Sequence, residues 1–350
     1  MRAISAADAV SPAIQRTRDF LFRPFNWGTY LKLGLVAIIT EGTGSNFHSS
    51  SHNASSSGHG PIVNSPFHFH PEWIAPIVAI VLLVIVISFL VLYLVTRLRF
   101  AFFHCLVHNT KEIRPGWHLL SDQASRFFWM NVGVGFCYLL LVALVALPFI
   151  GGFVRLFHEM QPGGPPDWGL LFSLVLPLIP VIILLVLLGI AIDVVLRDLM
   201  LPHYALDDAS AGEAWSQVWA RITAEKRQFI AYALLRLILP TLATIALVVV
   251  LIVPGLILAG SLAAVEFGLH SAFADATGAS VLVGKLLEVF FGILAFGFTV
   301  LISICLGGPL STATREYALV FYGGRYQALG ETLYPPSRVP PPPPTASQFA

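Results

Sequence analysis

Charge is what this sequence has least of. Asp, Glu, Lys and Arg make up 11% of its 350 residues, where a soluble domain carries roughly 25%. Apolar residues reach 56%, and the mean hydropathy is +0.79. A soluble core cannot hide that much apolar surface, because a water-facing protein needs charge to cover itself. The net charge is +1, so there is no polyelectrolyte character and no nucleic-acid partner is expected. Cysteine is scarce too. Cys105, Cys137 and Cys305 lie in or beside apolar runs with no C-x-x-C spacing, which excludes a disulfide framework and leaves three small buried hydrophobes. The first twenty residues lack the apolar core of a cleavable signal peptide, so the first hydrophobic span is expected to act as the insertion signal.

What is present is a series of long apolar runs. A bilayer asks for roughly 20 apolar residues per helix. Six stretches approach that: Phe25–Thr40, Ile74–Val95, Phe128–Pro148, Leu170–Val195, Phe229–Val253 and Leu286–Leu306. The fold expected is an all-α integral membrane protein with six transmembrane helices. The first stretch is the shortest and contains Lys32, so a re-entrant or interfacial segment is its alternative. If all six cross, every Lys and Arg except Arg155 and Lys285 falls on or near the side of the termini. The positive-inside rule then places both termini in the cytoplasm. Residues 1–24 are expected to form a cytoplasmic amphipathic segment, 25–334 the membrane domain, 41–72 a Ser/His-rich outer loop, and 335–350 a Pro-rich, disordered cytoplasmic tail, in which five consecutive prolines favour polyproline II.

Spans two, four and six leave the membrane through similar phrases: Thr96–His104, Leu196–Tyr204 and Thr314–Tyr322. In each, an arginine (Arg97, Arg197, Arg315) stands two helical turns before an aromatic or His cluster, on the same face. A short amphipathic stretch precedes each odd span. The clearest has Trp215, Val218, Trp219 and Ile222 at i, i+3, i+4 and i+7, the pattern of a helix lying at headgroup level. Trp117, Leu120 and Ala124, and Ala13, Ile14 and Phe20, are looser versions. Three helix-pair repeats, each led by an amphipathic helix, would explain this pattern; so would biased apolar composition.

Candidate chemistry is sparse. Asp193 and Arg197 have the i, i+4 spacing of an ion pair, with Asp198 beside them at the end of span four. Arg236 lies inside span five. Ionisable groups at such depth need partners. The four fit either a structural bridge, the favoured reading, or a relay between spans four and five. Five of the eleven histidines, His48, His52, His59, His68 and His70, fall in the first outer loop. Imidazole suits zinc, copper or nickel, but the loop supplies only the edge acids Glu41 and Glu72, so a biased linker is favoured over a metal site. His104 and His108 are a further i, i+4 pair. Gly133 and Gly135 would let helices approach closely. No nucleophile constellation or phosphate-binding glycine loop is present, and no cofactor is expected.

The run D-F-L-F-R-P-F-N-W-G-T-Y-L-K-L-G-L (Asp19–Leu35), D-V-V-L-R-D-L-M-L-P (Asp193–Pro202) with G-E-A-W (Gly212–Trp215), and the closing T-R-E-Y-A-L-V-F-Y (Thr314–Tyr322) resemble multi-span bacterial and archaeal families known only as domains of unknown function. The chain is also distantly similar to the membrane region of some glycerophosphodiester phosphodiesterases, without the metal-binding barrel that carries their activity. The resemblance implies a multi-pass protein of a bacterial inner membrane and brings no catalytic residues. Its expected partners are the lipid bilayer and an unidentified membrane or cytoplasmic protein. Its expected role is non-enzymatic organisation of lipid or partner, with a small-solute or lipid transporter as the alternative.

Overall fold

A computed structural model of the chain describes residues 4–45, 74–159, 168–272 and 279–335. Within them there is helix and no strand. The helices are α1 (Val10–Phe22), α2 (Trp27–Ser45), α3 (Ile74–His108), α4 (Ile113–Leu119), α5 (Ser121–Glu159), α6 (Trp168–Val194), α7 (Leu201–Leu206), α8 (Ala211–Ala224), α9 (Lys226–Ala272), α10 (Ala279–Gly323) and α11 (Gln327–Leu333). A single π-helical turn, Val195–Met200, joins α6 to α7. Among the described residues, five helical stretches are long and apolar enough to cross a membrane: Ala75–His108, Ser121–Val154, Leu171–Leu206, Lys226–Val265 and Leu282–Gly323.

Each of these helices changes environment along its length. In α3 the stretch Ile77–Leu92 is mostly exposed, whereas Phe100 to Val107 is buried apart from His104. In α10 Phe296 is 71% exposed and Phe321 is fully buried. The apolar arms therefore present their side chains outward, as lipid-facing helices do. Their far ends gather with α1, α2, α4, α7, α8 and α11 into one buried head. Its core is aromatic: Phe100, Phe102, Phe103, Phe127, Tyr204, Tyr232, Phe321 and Tyr322. Tyr232 stacks on Phe321 at 4.3 Å between ring centroids, and Phe127 meets Tyr204 edge-on at 5.2 Å. Such pairs add to the burial energy.

Two staples close the head. Arg16 of α1 bonds the buried Glu316 at 2.9 Å and also donates to Leu333 O and Leu106 O. Arg325 bonds Glu225 at 2.8 Å and donates to Ile4 O. The two ends of the described chain thus meet. Helices α2 and α10 touch backbone to backbone: a Cβ on Gly308 would stand 2.7 Å from Gly34 Cα. That is the close glycine approach expected at Gly133 and Gly135. A Cβ at either of those would meet nothing within 4 Å, because that part of α5 runs along an exposed arm.

Candidate functional site

The head meets the arms at a seam, and the charges collect there. The π-helical turn adds a residue to one turn of helix, and both Arg197 and Asp198 end up buried. Such turns often mark functional positions. Arg197 Nη1 lies 2.9 Å from Asp193 Oδ2, and its Nη2 lies 2.8 Å from Glu41 Oε2. Arg236 of α9 bonds the same Glu41 oxygen at 2.8 Å and Asp198 Oδ2 at 2.9 Å. Arg315 of α10 bonds Asp198 Oδ1 at 2.9 Å and donates to Arg197 O at 2.8 Å. The Tyr232 hydroxyl donates to Asp198 Oδ2 at 2.7 Å. Thr40 O, near the end of α2, accepts from Arg197 at 3.1 Å and from Arg99 Nε at 3.0 Å. The cations approach the C-terminal turns of α2, the negative end of its dipole. Each carboxylate bonds at least one guanidinium, so the cluster binds α2, the α6–α7 junction, α9 and α10 together. Buried pairs of this kind add little net stability when intact, but removing one partner leaves a charge stranded.

Asp193, Arg197, Asp198 and Arg236 thus come together, though not in the expected pairing. Arg236 answers Asp198 and Glu41, and Asp193 stands at the edge with its side chain 38% exposed. Glu41 is the residue that reading the sequence missed. Hydropathy places it at the start of an outer loop. The usable signal was a lone carboxylate closing an apolar run, which needs a cation as surely as Arg236 needs an anion. His48, His52, His59, His68 and His70 lie outside the described residues, as do most of the Ser/His-rich loop and of the proline-rich tail. Among the described residues no group of three or more His, Cys, Asp or Glu could hold a metal ion. His104 and His108 stack at 4.3 Å.

A second polar set lies deeper in the head. His203 is fully buried. Its Nε2 is 2.7 Å from the Tyr322 hydroxyl and its Nδ1 is 3.3 Å from Asp207 Oδ2. Tyr326 packs against the imidazole at 4.2 Å, and burial pushes its phenol well above the usual range, with Asp207 adding to the effect. Arg221 of α8 covers the Tyr322 and Tyr326 rings. These contacts join the exit phrases of the fourth and sixth apolar runs.

Helix α8 divides the stripe read from the sequence. Val218 is buried with Ala214, and Ile222 packs partly on the core. Trp215 and Trp219 are 49% and 55% exposed and stack on each other at 6.0 Å. The start of α8 is fixed by a capping box: Ser210 Oγ accepts from the Glu213 amide, and the Glu213 carboxylate accepts from the Ser210 amide. Those bonds from Ser210 lower the Glu213 pKa. In α1, Ala13 and Phe20 face the core while Ile14 points outward.

No curated protein and no solved structure matches the chain, so the likeness to phosphodiesterase membrane regions finds no support there. Residues 4–331, nearly the whole chain, match a family model, and the chain belongs to that family: the family of unknown function DUF7544.

Proposed function

We propose that this is a non-enzymatic, six-pass protein of a bacterial inner membrane that organises lipid between outward-facing arms anchored in a cytoplasmic head. The observation that carries the reading is the exposure of the arms. Leu184 in α6, Val250 in α9 and Phe296 in α10 are 68%, 72% and 71% exposed. Apolar surface of that extent must be covered by acyl chains or another chain. The charges of the seam bond one another, as expected of a structural bridge rather than a relay.

Parity supports six traverses. Five crossing helices alone would leave the chain ends on opposite sides, yet Arg16 bonds Leu333 O and Arg325 bonds Ile4 O. A further traverse between α1 and α3, begun by α2, would reconcile the two. From Lys32 to Glu41 the helix advances about 14 Å. The basic excess supports a cytoplasmic head. The exposed indoles of α8 fit headgroup depth on that side, and the three helix pairs fit a threefold repeat. The alternative, a solute or lipid path between α6 and α9, draws on the Asp198–Arg236 bond that ties α9 to the π-helical turn after α6.

Photoactivatable phospholipids in native membranes separate the two. Open arms predict adducts on all faces of the arms, at Leu184, Val250 and Phe296 alike. Adducts confined to one outer face would mean that the arms close on each other as a transporter bundle does, and would overturn the reading.

A further inference from the structure

At the start of α2, away from the seam, lies a concave site of about 410 Å³ lined by Gly28, Thr29, Lys32, Lys111, Glu112, Ile113 and Arg114. It contains three cations and one carboxylate. Among the described residues none of Lys32, Lys111 and Arg114 forms an ion pair. The walls are fixed. Lys111 Nζ donates to Pro24 O at 2.7 Å, Cys105 Sγ donates to Glu112 O at 3.2 Å, and α4 sits so close to α3 that a Cβ on Gly116 would stand 2.8 Å from His104 Cβ. Lys111 keeps further N–H donors for a ligand, since an ammonium carries three. Beside the site stands an aromatic group. Phe25 and Trp27 pack with ring centroids 5.1 Å apart, and Trp27 is 62% exposed. Exposed aromatics of this kind mark the membrane–water interface.

Three cations lining one concavity with a surplus positive charge, at the positive end of a helix dipole and beside an interfacial aromatic group, have the chemistry of a phosphate receptor. We propose that Lys32, Lys111 and Arg114 bind a phosphate group, either the headgroup of an anionic phospholipid or a phosphate from solution. This deepens the lipid reading by naming what the head would hold. Glu112 at the rim tunes the site by opposing the anion.

The test uses the full chain in detergent. Native mass spectrometry with equal amounts of phosphatidylglycerol and phosphatidylcholine measures lipid retention. A thermal-shift titration with inorganic phosphate, against chloride at matched ionic strength, measures the solution source. Wild type should prefer phosphatidylglycerol or be stabilised by phosphate. Lys32→Gln and Arg114→Gln should each weaken the response about fivefold, the scale of one interfacial cation. Both side chains are exposed, so these variants should fold. Glu112→Gln should strengthen binding. Preference in the lipid arm assigns the headgroup; a response to inorganic phosphate alone assigns a solution ligand. Neither response, or equal binding by the Lys32→Gln/Arg114→Gln variant, overturns the site. Closed arms in the photolabelling with retained phosphate binding would defeat the lipid-organising function alone; labelled arms with no phosphate response would defeat the site alone.

Discussion

The seam and the groove at the start of α2 both gather cations in one head, yet they treat them in opposite ways. At the seam, Arg197, Arg236 and Arg315 share Glu41, Asp193 and Asp198, and two of those carboxylates each bond more than one guanidinium. In the groove three cations face the single carboxylate of Glu112. Paired charges lock elements together, and unpaired ones can be used for recruitment. The difference is one of solvent. The seam is buried, where a stranded ion is expensive, whereas Lys32 and Arg114 stand exposed, where it is not.

The comparison can be broken at its strongest point first. Asp198→Asn removes the anion shared by Arg236 and Arg315, and should lower stability by about 3–5 kcal/mol, read as a fall in the detergent melting temperature. A variant that melts like wild type would mean that the seam does not hold the head to the arms. Next, Gly308→Ala forces α10 away from Gly34 and should cost about 1–3 kcal/mol, while Gly133→Ala on the exposed arm should change stability by less than about 0.5 kcal/mol. Asp193→Asn, at the open edge of the cluster, should cost under about 1 kcal/mol. A local Asp193–Arg197 pair would survive exchange of its two residues. Here the exchange should fail, because Arg197→Asp would set a second carboxylate against Glu41. Lys32→Gln should leave the melting temperature within about 0.5 kcal/mol of wild type, which separates groove from seam by the same assay. The smallest effect is a pH effect in α8. The Glu213 pKa is depressed in the folded protein. Its contribution is therefore present above the unfolded value and lost as pH falls through the folded one. Amide exchange in the first turn of α8 should rise on acidification in wild type, and Ser210→Ala should flatten that response.

The arms were legible because hydropathy alone reports them: among the described residues, the five helices long and apolar enough to cross a membrane each overlap a run read from the sequence. The i, i+4 spacing of Asp193 and Arg197 was legible for the same reason, since it is local. What escaped was non-local. Glu41 meets Arg236 across 195 positions and His203 meets Tyr322 across 119, and no periodicity reports such pairs. The π-helical turn escaped because nothing in V-L-R-D-L-M distinguishes it from a regular helix. The spacing in α8 presents one apolar face, but the core takes Val218 and leaves the indoles outside. Its width could be read from the sequence and its division could not, since that depends on how the π-helical turn, α9 and the core pack around it.

Seam and groove belong to one head, and the account stands or falls on that head occupying one side of the membrane with both chain ends. Fusions of a reporter active only in the cytoplasm test this directly. The account predicts activity at Asp122 and at Ala350 and silence at Ser57. Activity at Ser57, or silence at Ala350 in a stable fusion, would contradict it.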